Sequence, residues 1–355
     1  MKRLPSIVQP ARQTVESYAL YFGAACFIVT AVIALCLFWN KQIPIFGLPS
    51  SGAIGSLFAL FAGFIGFMTA YTRLATFQTY EKRLPYFRRW LKRSALTLAH
   101  ATVFFLISVT AFYIIQQAFK GLLLDHWSSA IIVGTVSGLA GYCTYLMGAR
   151  VTSNNLSIVL AMFLLGGTLT SMITAENPEW WMIHFSSLGM GDSASATAFN
   201  VTLVVGGIVV AGLADTIAND FAKLQTTSKP RYIHTNIHMV RAMLVFIGVL
   251  LAGVGLFPFD MFPTIHNVCA IGMIVVFMVL VGMLPRLVSD FPRAFFVFSF
   301  SLFASVLACY WLWVGVGYLN LTALELLCAG IVFSWLIVFV RHISAGLEDN
   351  ASTAA

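Results

Sequence analysis

The chain has 355 residues, 59% of them hydrophobic and 9% charged, with a mean hydropathy of +0.89 and a formal net charge of +7. A soluble domain carries about 25% charged residues, so the composition excludes a water-soluble globular protein. Its apolar runs are continuous rather than alternating, which excludes a β-barrel; the expected fold class is all-α, a polytopic transmembrane helix bundle.

In chain order, the first seventeen residues are polar and basic, and the apolar run after them is too long for the core of a cleavable signal, so it is expected to remain as an anchor. Spans are expected near Tyr18–Trp39 and Gly52–Tyr71. Arg73–Arg93 follows, the most charged stretch of the chain, with Tyr80, Tyr86, Phe87 and Trp90 among its basic residues. It reads first as a topology-setting cytoplasmic loop and second as a contact for anionic lipid on the membrane surface. The third span is placed near Ala95–Ile115 and the fourth near Ser128–Met147. The fourth carries Gly134 and Gly138, a small-residue face suited to close helix packing, whereas Gly121 falls in a loop.

The fifth span is placed near Leu156–Ile173. A connection over Thr174–Thr197 follows, long against the usual median of about 4–6 residues. Further spans are expected near Ala198–Ile217, Met239–Leu256, Ile265–Met283, Ala294–Trp313 and Leu321–Val340, ten in all. The expected organisation is a four-helix module with a basic cytoplasmic loop over 1–150, a six-helix domain over 151–345, and a disordered tail over 346–355. Ten spans also permit two five-helix halves of opposite topology, as in several secondary transporters.

If the N-terminus is cytoplasmic, every Lys and Arg falls on the cytoplasmic side except Lys41 and Lys120, while Asp125, Glu176, Glu179, Asp192 and Asp260 fall outside. That asymmetry is the positive-inside pattern, so both termini are expected to be cytoplasmic, and the basic charge is assigned to topology rather than to nucleic acid. The cysteines, Cys26, Cys36, Cys143, Cys269, Cys309 and Cys328, lie in apolar segments without a CxxC pair and read as small buried hydrophobes.

Chemistry concentrates at the outer side. The stretch Leu256–Ala270 packs Asp260, His266 and Asn267 into apolar surroundings, with Pro258 and Pro263 breaking the helix. Ionisable residues at a bilayer edge are costly unless paired or functional. The long connection adds His184, Ser186, Ser187 and Asp192, the next helix begins near Asn200, and Glu325 lies one turn into the tenth. His184, Ser187, Asp260 and His266 are the candidate catalytic residues; Asp192, Asn200, Asn267 and Glu325 are the candidate substrate-binding residues. Acid, hydroxyl, imidazole and amide are the parts of a hydrolytic or metal site, and equally of a polar plug that ties loops together. Asp260 and His266 read as a pair in which the carboxylate orients the imidazole, or else Asp260 caps the eighth helix and His266 anchors it. Asp192 or Ser193 reads as the cap of the sixth helix. His100, near the inner end of the third span, is expected to snorkel, and Asp215 to pair with a basic loop residue. His234 and His238 have the spacing of a metal pair without a third ligand. No phosphate-binding loop, dinucleotide fingerprint or HExxH occurs, and neither a metal nor a cofactor is assigned.

Ser186-Ser187-Leu188-Gly189, Ala198-Phe199-Asn200, Phe257-Pro258-Phe259-Asp260 and His266-Asn267 together resemble the bacterial multi-spanning membrane family called domain of unknown function 998. That family is in turn distantly similar to the six-helix damage-regulated autophagy modulators. The resemblance covers about Leu156 to Val340 and leaves out the first four spans. It implies architecture and a bacterial cytoplasmic membrane. Through eukaryotic relatives tied to lipid-anchor remodelling, it also points toward lipids by analogy. The leading expectation is an integral membrane protein that handles a lipid or lipid-linked substrate at an outward-facing polar pocket; a secondary transporter and a non-catalytic membrane partner or sensor remain open. The sequence leaves enzyme status, substrate and oligomeric state open, and the bilayer itself is the one assigned partner.

The charge asymmetry is checked by impermeant thiol labelling of intact cells. A cysteine at Ser193 is expected to label and one at Thr79 is not; equal labelling of the two overturns the ten-span orientation.

Overall fold

The structure, a computed structural model, describes residues 12–75, 86–151, 153–227, 236–289 and 291–353. Its helices are α1 (Arg12–Leu37), α2 (Ser51–Ala75), α3 (Tyr86–Ala118), α4 (His126–Ala149), α5 (Ser153–Ile173), α6 (Ala194–Thr227), α7 (Ile237–Leu256), α8 (Pro263–Leu287), α9 (Arg293–Val314) and α10 (Leu321–Thr353). Among the described residues, all ten are long and apolar enough to cross a membrane. The all-α expectation therefore holds. Among the described residues the strands are one antiparallel pair of two residues each, β1 (Ile43–Pro44) and β2 (Leu123–Leu124), which ties the α1–α2 connection to the α3–α4 connection.

By packing, the chain divides into two compact units, Met1–Val151 and Thr152–Ala355. The division falls between α4 and α5, so the helices do not group into two halves of five.

In the first unit α4 packs on α1 and α2, and α3 packs on α2. Asp125 starts α4 by accepting the Trp127 N–H at 3.1 Å, which satisfies one of the orphan donors of a helix N-terminus. The α1–α4 contact is built on small residues. A Cβ added at Gly138 would lie 3.0 Å from the Gly23 carbonyl oxygen, and one at Gly134 would lie 2.9 Å from Ala31 Cβ. Gly66 and Gly148 admit α2 to the other side of α4, beside Thr144 and Phe67. Glu16 of α1 accepts the Tyr142 hydroxyl of α4. His100 does not snorkel. It is 2% exposed, its Nδ1 bonds the Leu96 carbonyl oxygen at 2.7 Å, and its ring stacks on Phe67 at 4.1 Å. A backbone acceptor one turn away satisfies the ring locally, so nothing draws it toward water.

In the second unit α6 packs on α5, α7 and α10, and α10 also packs on α5, α8 and α9. Gly207 of α6 and Gly248 of α7 face each other so closely that a Cβ on either would strike the other's carbonyl oxygen. Such approaches let backbones pack tightly where no hydrophobic force favours helix over lipid. At one end of the bundle an aromatic core joins α8, α9 and α10. Trp335 is 1% exposed, stacks on Phe339 at 4.9 Å and donates its indole N–H to the buried Ser299 hydroxyl at 2.9 Å. Asp215 of α6 pairs with Arg241 of α7 at 2.6 Å, so its partner is a helix residue rather than a loop residue.

The basic stretch after α2 is described only in part. α3 already begins at Tyr86, so Arg88–Arg93 lie on a helix continuous with the third span, and 76–85 lie outside the described residues. α10 continues to Thr353, past Glu348, where a disordered tail is expected. Ala345, Leu347 and Glu348 are good helix formers, and extending an existing helix needs no new nucleus.

Gly121 has φ +80°, a conformation that disfavours any side chain, so it makes a poor control for Gly138. Gly282, a helical glycine with nothing within 4 Å of an added Cβ, is the better one. Gly138→Leu is expected to cost roughly 1–3 kcal/mol through overpacking and to lower membrane accumulation. Gly282→Leu should accumulate normally, and equal accumulation of the two refutes the close α1–α4 packing.

Candidate functional site

The site is built on one end of the six-helix unit, where the α5–α6, α7–α8 and α9–α10 connections lie. The α5–α6 connection folds into two 3₁₀ turns, Trp180–Met182 and Phe185–Gly189. Its far end is fixed by the start of α6, where Ser193 Oγ caps the helix by accepting the Ala196 N–H at 3.1 Å. Of the two capping candidates the structure uses Ser193, and Asp192 is exposed beside it. Asn200, in the second turn of α6, donates its amide to the Gly189 carbonyl oxygen at 2.8 Å. Ser195 and Ser171 join the tops of α5 and α6 through their hydroxyls at 2.9 Å and through each other's carbonyl oxygens.

Glu325 reaches this connection from α10. Its Oε2 accepts the Phe185 N–H at 2.6 Å and the Ser186 N–H at 3.3 Å; its Oε1 accepts the Ser186 hydroxyl at 3.4 Å. The carboxylate therefore does for the second 3₁₀ turn what an N-cap does for a helix, from 139 and 140 residues away. Ser186 Oγ also lies 3.2 Å from His184 Nδ1, so one hydroxyl stands between an acid and an imidazole. Asn320, at the start of α10, adds a second tie by donating to the Trp181 carbonyl oxygen at 3.2 Å.

Ser187 is placed differently from Ser186. Its hydroxyl donates to the His184 carbonyl oxygen at 2.6 Å and is also within 3.3 Å of the Trp180 carbonyl oxygen, so it locks the loop to itself. Of the two adjacent serines, Ser186 is the one brought to charged and basic partners.

Asp260 and His266 are not bonded to each other. Asp260 accepts the Gly191 N–H at 3.0 Å, and His266 Nδ1 bonds the Phe257 carbonyl oxygen at 2.9 Å. Asp260 does not cap α8 either; the cap position is Phe262, without a side-chain bond. The proline turn between α7 and α8 instead latches onto the α5–α6 connection through Asp260, and His266 closes the same turn on itself. Phe259 lies against both imidazoles, 4.6 Å from the His184 ring centroid and 5.7 Å from that of His266. Asn267 is exposed, and none of these bonds involves it.

His184 is buried, and burial together with the neighbouring His266 pushes its pKa below the usual histidine value. Its neutral form is therefore favoured in the folded protein at neutral pH. Among the described residues no group of three or more His, Cys, Asp or Glu is placed to hold a metal ion; His234, half of the sequence's one spaced pair, lies outside the described residues. No family model, curated protein or solved structure matches the chain. Its class rests on its own helices: ten that fit a bilayer, arranged as a multi-pass integral membrane protein.

A depressed His184 pKa carries a stability consequence with a definite sign. The unfolded chain takes up a proton near pH 6.5, and the folded chain does so only at lower pH. Between those two values the unfolded state binds more protons, so stability falls as the pH is lowered through that window. The melting temperature in detergent is expected to drop more steeply below pH 6.5 for the wild type than for His184→Gln. Parallel curves refute the assignment to His184.

Proposed function

We propose that the six-helix unit handles a lipid or lipid-linked substrate, with Ser186 as its reacting group. The reading is carried by one observation: Ser186 Oγ stands between His184 Nδ1 at 3.2 Å and Glu325 Oε1 at 3.4 Å, near the helix ends of a bilayer-spanning bundle. The esters of a lipid lie near that level, between headgroup and hydrocarbon. When Oγ bonds to an ester carbonyl carbon, the hydroxyl proton passes to His184 Nδ1, and the imidazolium returns it to the departing alcohol; water then releases the acyl group by the same route. A neutral His184 is the form that can accept that proton. Both distances are at the long end for a hydrogen bond, as is common before substrate binds.

Two further points support this reading over transport. Transporters commonly hold their substrate at mid-bilayer on interrupted helices, whereas α5 to α10 run unbroken and the polar groups gather where helices end. The resemblance to the uncharacterised bacterial family, through eukaryotic relatives tied to lipid-anchor remodelling, points toward lipids by analogy. In this reading both termini face the cytoplasm of a bacterial cell, and the site opens on the other side of its membrane.

A second reading is favoured by the Glu325 Oε2 bonds, which use the carboxylate as a clasp for a loop. On that reading the cluster is structural and the protein acts as a non-catalytic membrane partner. A fluorophosphonate probe separates the two. On the purified protein in nanodiscs, Ser186 is expected to be labelled, with labelling lost in Ser186→Ala, strongly reduced in His184→Gln and kept in Ser187→Ala. Folded protein that stays unlabelled leaves the clasp reading.

A further inference from the structure

We propose that Thr322 contacts the substrate at the same site, its hydroxyl donating a hydrogen bond to the carbonyl oxygen of the ester that Ser186 attacks. The inference rests on the Ser186 reading and supplies a donor that the reading lacks. As Oγ adds to the carbonyl carbon, the carbonyl electron pair moves onto its oxygen, and a site that promotes this step holds a donor there. Thr322 keeps its own proton throughout; when the intermediate collapses, the electron pair returns and the alcohol leaves.

The donors usually found beside a nucleophile are already engaged. The Phe185 and Ser186 N–H groups point to Glu325, and the Ser187 N–H goes to the His184 carbonyl oxygen at 3.0 Å. The side-chain donors of Ser187, Ser195 and Asn200 are bonded to backbone carbonyl oxygens at 2.6, 2.8 and 2.8 Å. Thr322 differs from all of them. It is 3% exposed, and its Oγ1 is the one buried side-chain polar atom of this unit, among the described residues, that has no hydrogen-bond partner. Other threonines of the unit give their hydroxyls to the carbonyl one turn back, as Thr170 does to Gly166 at 2.7 Å and Thr202 to Ala198 at 2.6 Å. Thr322 is the second residue of α10, so no helical turn lies behind it to supply that acceptor.

Its position is fixed from both sides. Two residues earlier, Asn320 holds the Trp181 carbonyl oxygen; three residues later, Glu325 holds the Phe185 and Ser186 N–H groups. Residues three apart share a helix face. Thr322 therefore shares a face of α10 with Glu325 and lies in sequence between the two residues of α10's start that hold the 181–186 segment.

The phosphoryl oxygen of a fluorophosphonate stands in for the ester carbonyl oxygen, so the rate of Ser186 labelling reads the contact. Thr322→Val, which keeps the shape and removes the hydroxyl, is expected to slow labelling about 100-fold, while Thr322→Ser retains the wild-type rate within about three-fold. Removing an unpartnered buried hydroxyl should not lower stability, so the melting temperature of Thr322→Val is expected to match or exceed that of the wild type. Labelling of Thr322→Val at the wild-type rate overturns the role of Thr322 and leaves the Ser186 reading standing. A Thr322→Val protein that fails to fold shows that the hydroxyl has a structural partner and overturns it too. Absence of Ser186 labelling in the wild type removes the Ser186 reading, and this inference with it.

Discussion

A segment that folds at the edge of an apolar bundle must find partners for its own backbone, because hydrocarbon offers none. The turn at Phe185–Gly189 opens with N–H groups that its own short helix cannot satisfy. Glu325 meets that need from α10 with a single carboxylate oxygen. Hydrogen bonds to a charged group are worth about 1.5–3 kcal/mol each, and an orphaned buried donor costs a comparable amount. Against a typical net stability of about 5–15 kcal/mol, this one side chain has a large influence on whether the connection is ordered. Ser186, and through it His184 Nδ1, is held by the same carboxylate.

Glutamate alone does not set that geometry; it needs α6 in register. Gly255 of α7 approaches the start of α6 so closely that an added Cβ would lie 2.5 Å from the Asn200 carbonyl oxygen. That approach leaves the Asn200 amide free to hold Gly189, where an added Cβ would in turn lie 2.6 Å from Asn200 Oδ1. The Gly207–Gly248 crossing lower down fixes the two helices against sliding. A run of missing side chains thus carries positional information from the α6–α7 seam to the loop above it. The Asp260–Gly191 bond then ties the next turn to the same loop, so three connections are held at one end by four polar side chains: Glu325, Asn320, Asn200 and Asp260.

The helices were legible in the sequence because a span is a local property. About 20 apolar residues bounded by Pro, Gly or charge identify a crossing helix wherever it packs. The small face at Gly134 and Gly138 was legible for the same reason, although its partner, α1, was not. The polar residues were legible as a group and not as partners. Glu325 and Ser186 lie 139 residues apart, and no periodicity links them. Pairing Asp260 with His266 leaned on nearness in sequence, and nothing in the sequence separates Ser187 from Ser186; the fold turns Ser187 onto its own loop and Asp260 across to Gly191. His100 shows the same limit from the other side, since a lone ring in an apolar span is satisfied by a carbonyl four residues back. Thr322 gave no signal at all. A threonine at a helix start is ordinary until the structure shows that its hydroxyl has nowhere to go.

The carboxylate of Glu325 also explains how a clasp and a reacting centre can share one residue. Its two oxygens are divided: Oε2 takes both backbone N–H groups, and Oε1 faces only the Ser186 hydroxyl. The structural bonds therefore survive whatever happens to the serine proton, provided the carboxylate stays ionised, and the backbone N–H groups keep their acceptor while Ser186 turns toward His184. An amide in place of the carboxylate would keep one acceptor oxygen for the backbone N–H groups and could donate from its nitrogen to Ser186 Oγ, but it carries no charge to strengthen those bonds. A glutamine would therefore hold the loop with weaker, neutral hydrogen bonds and would leave Ser186 only His184 as an acceptor. Burial of charge at this depth is otherwise unfavourable, and here it is offset by the charge-assisted bonds that the carboxylate makes to both sets of partners.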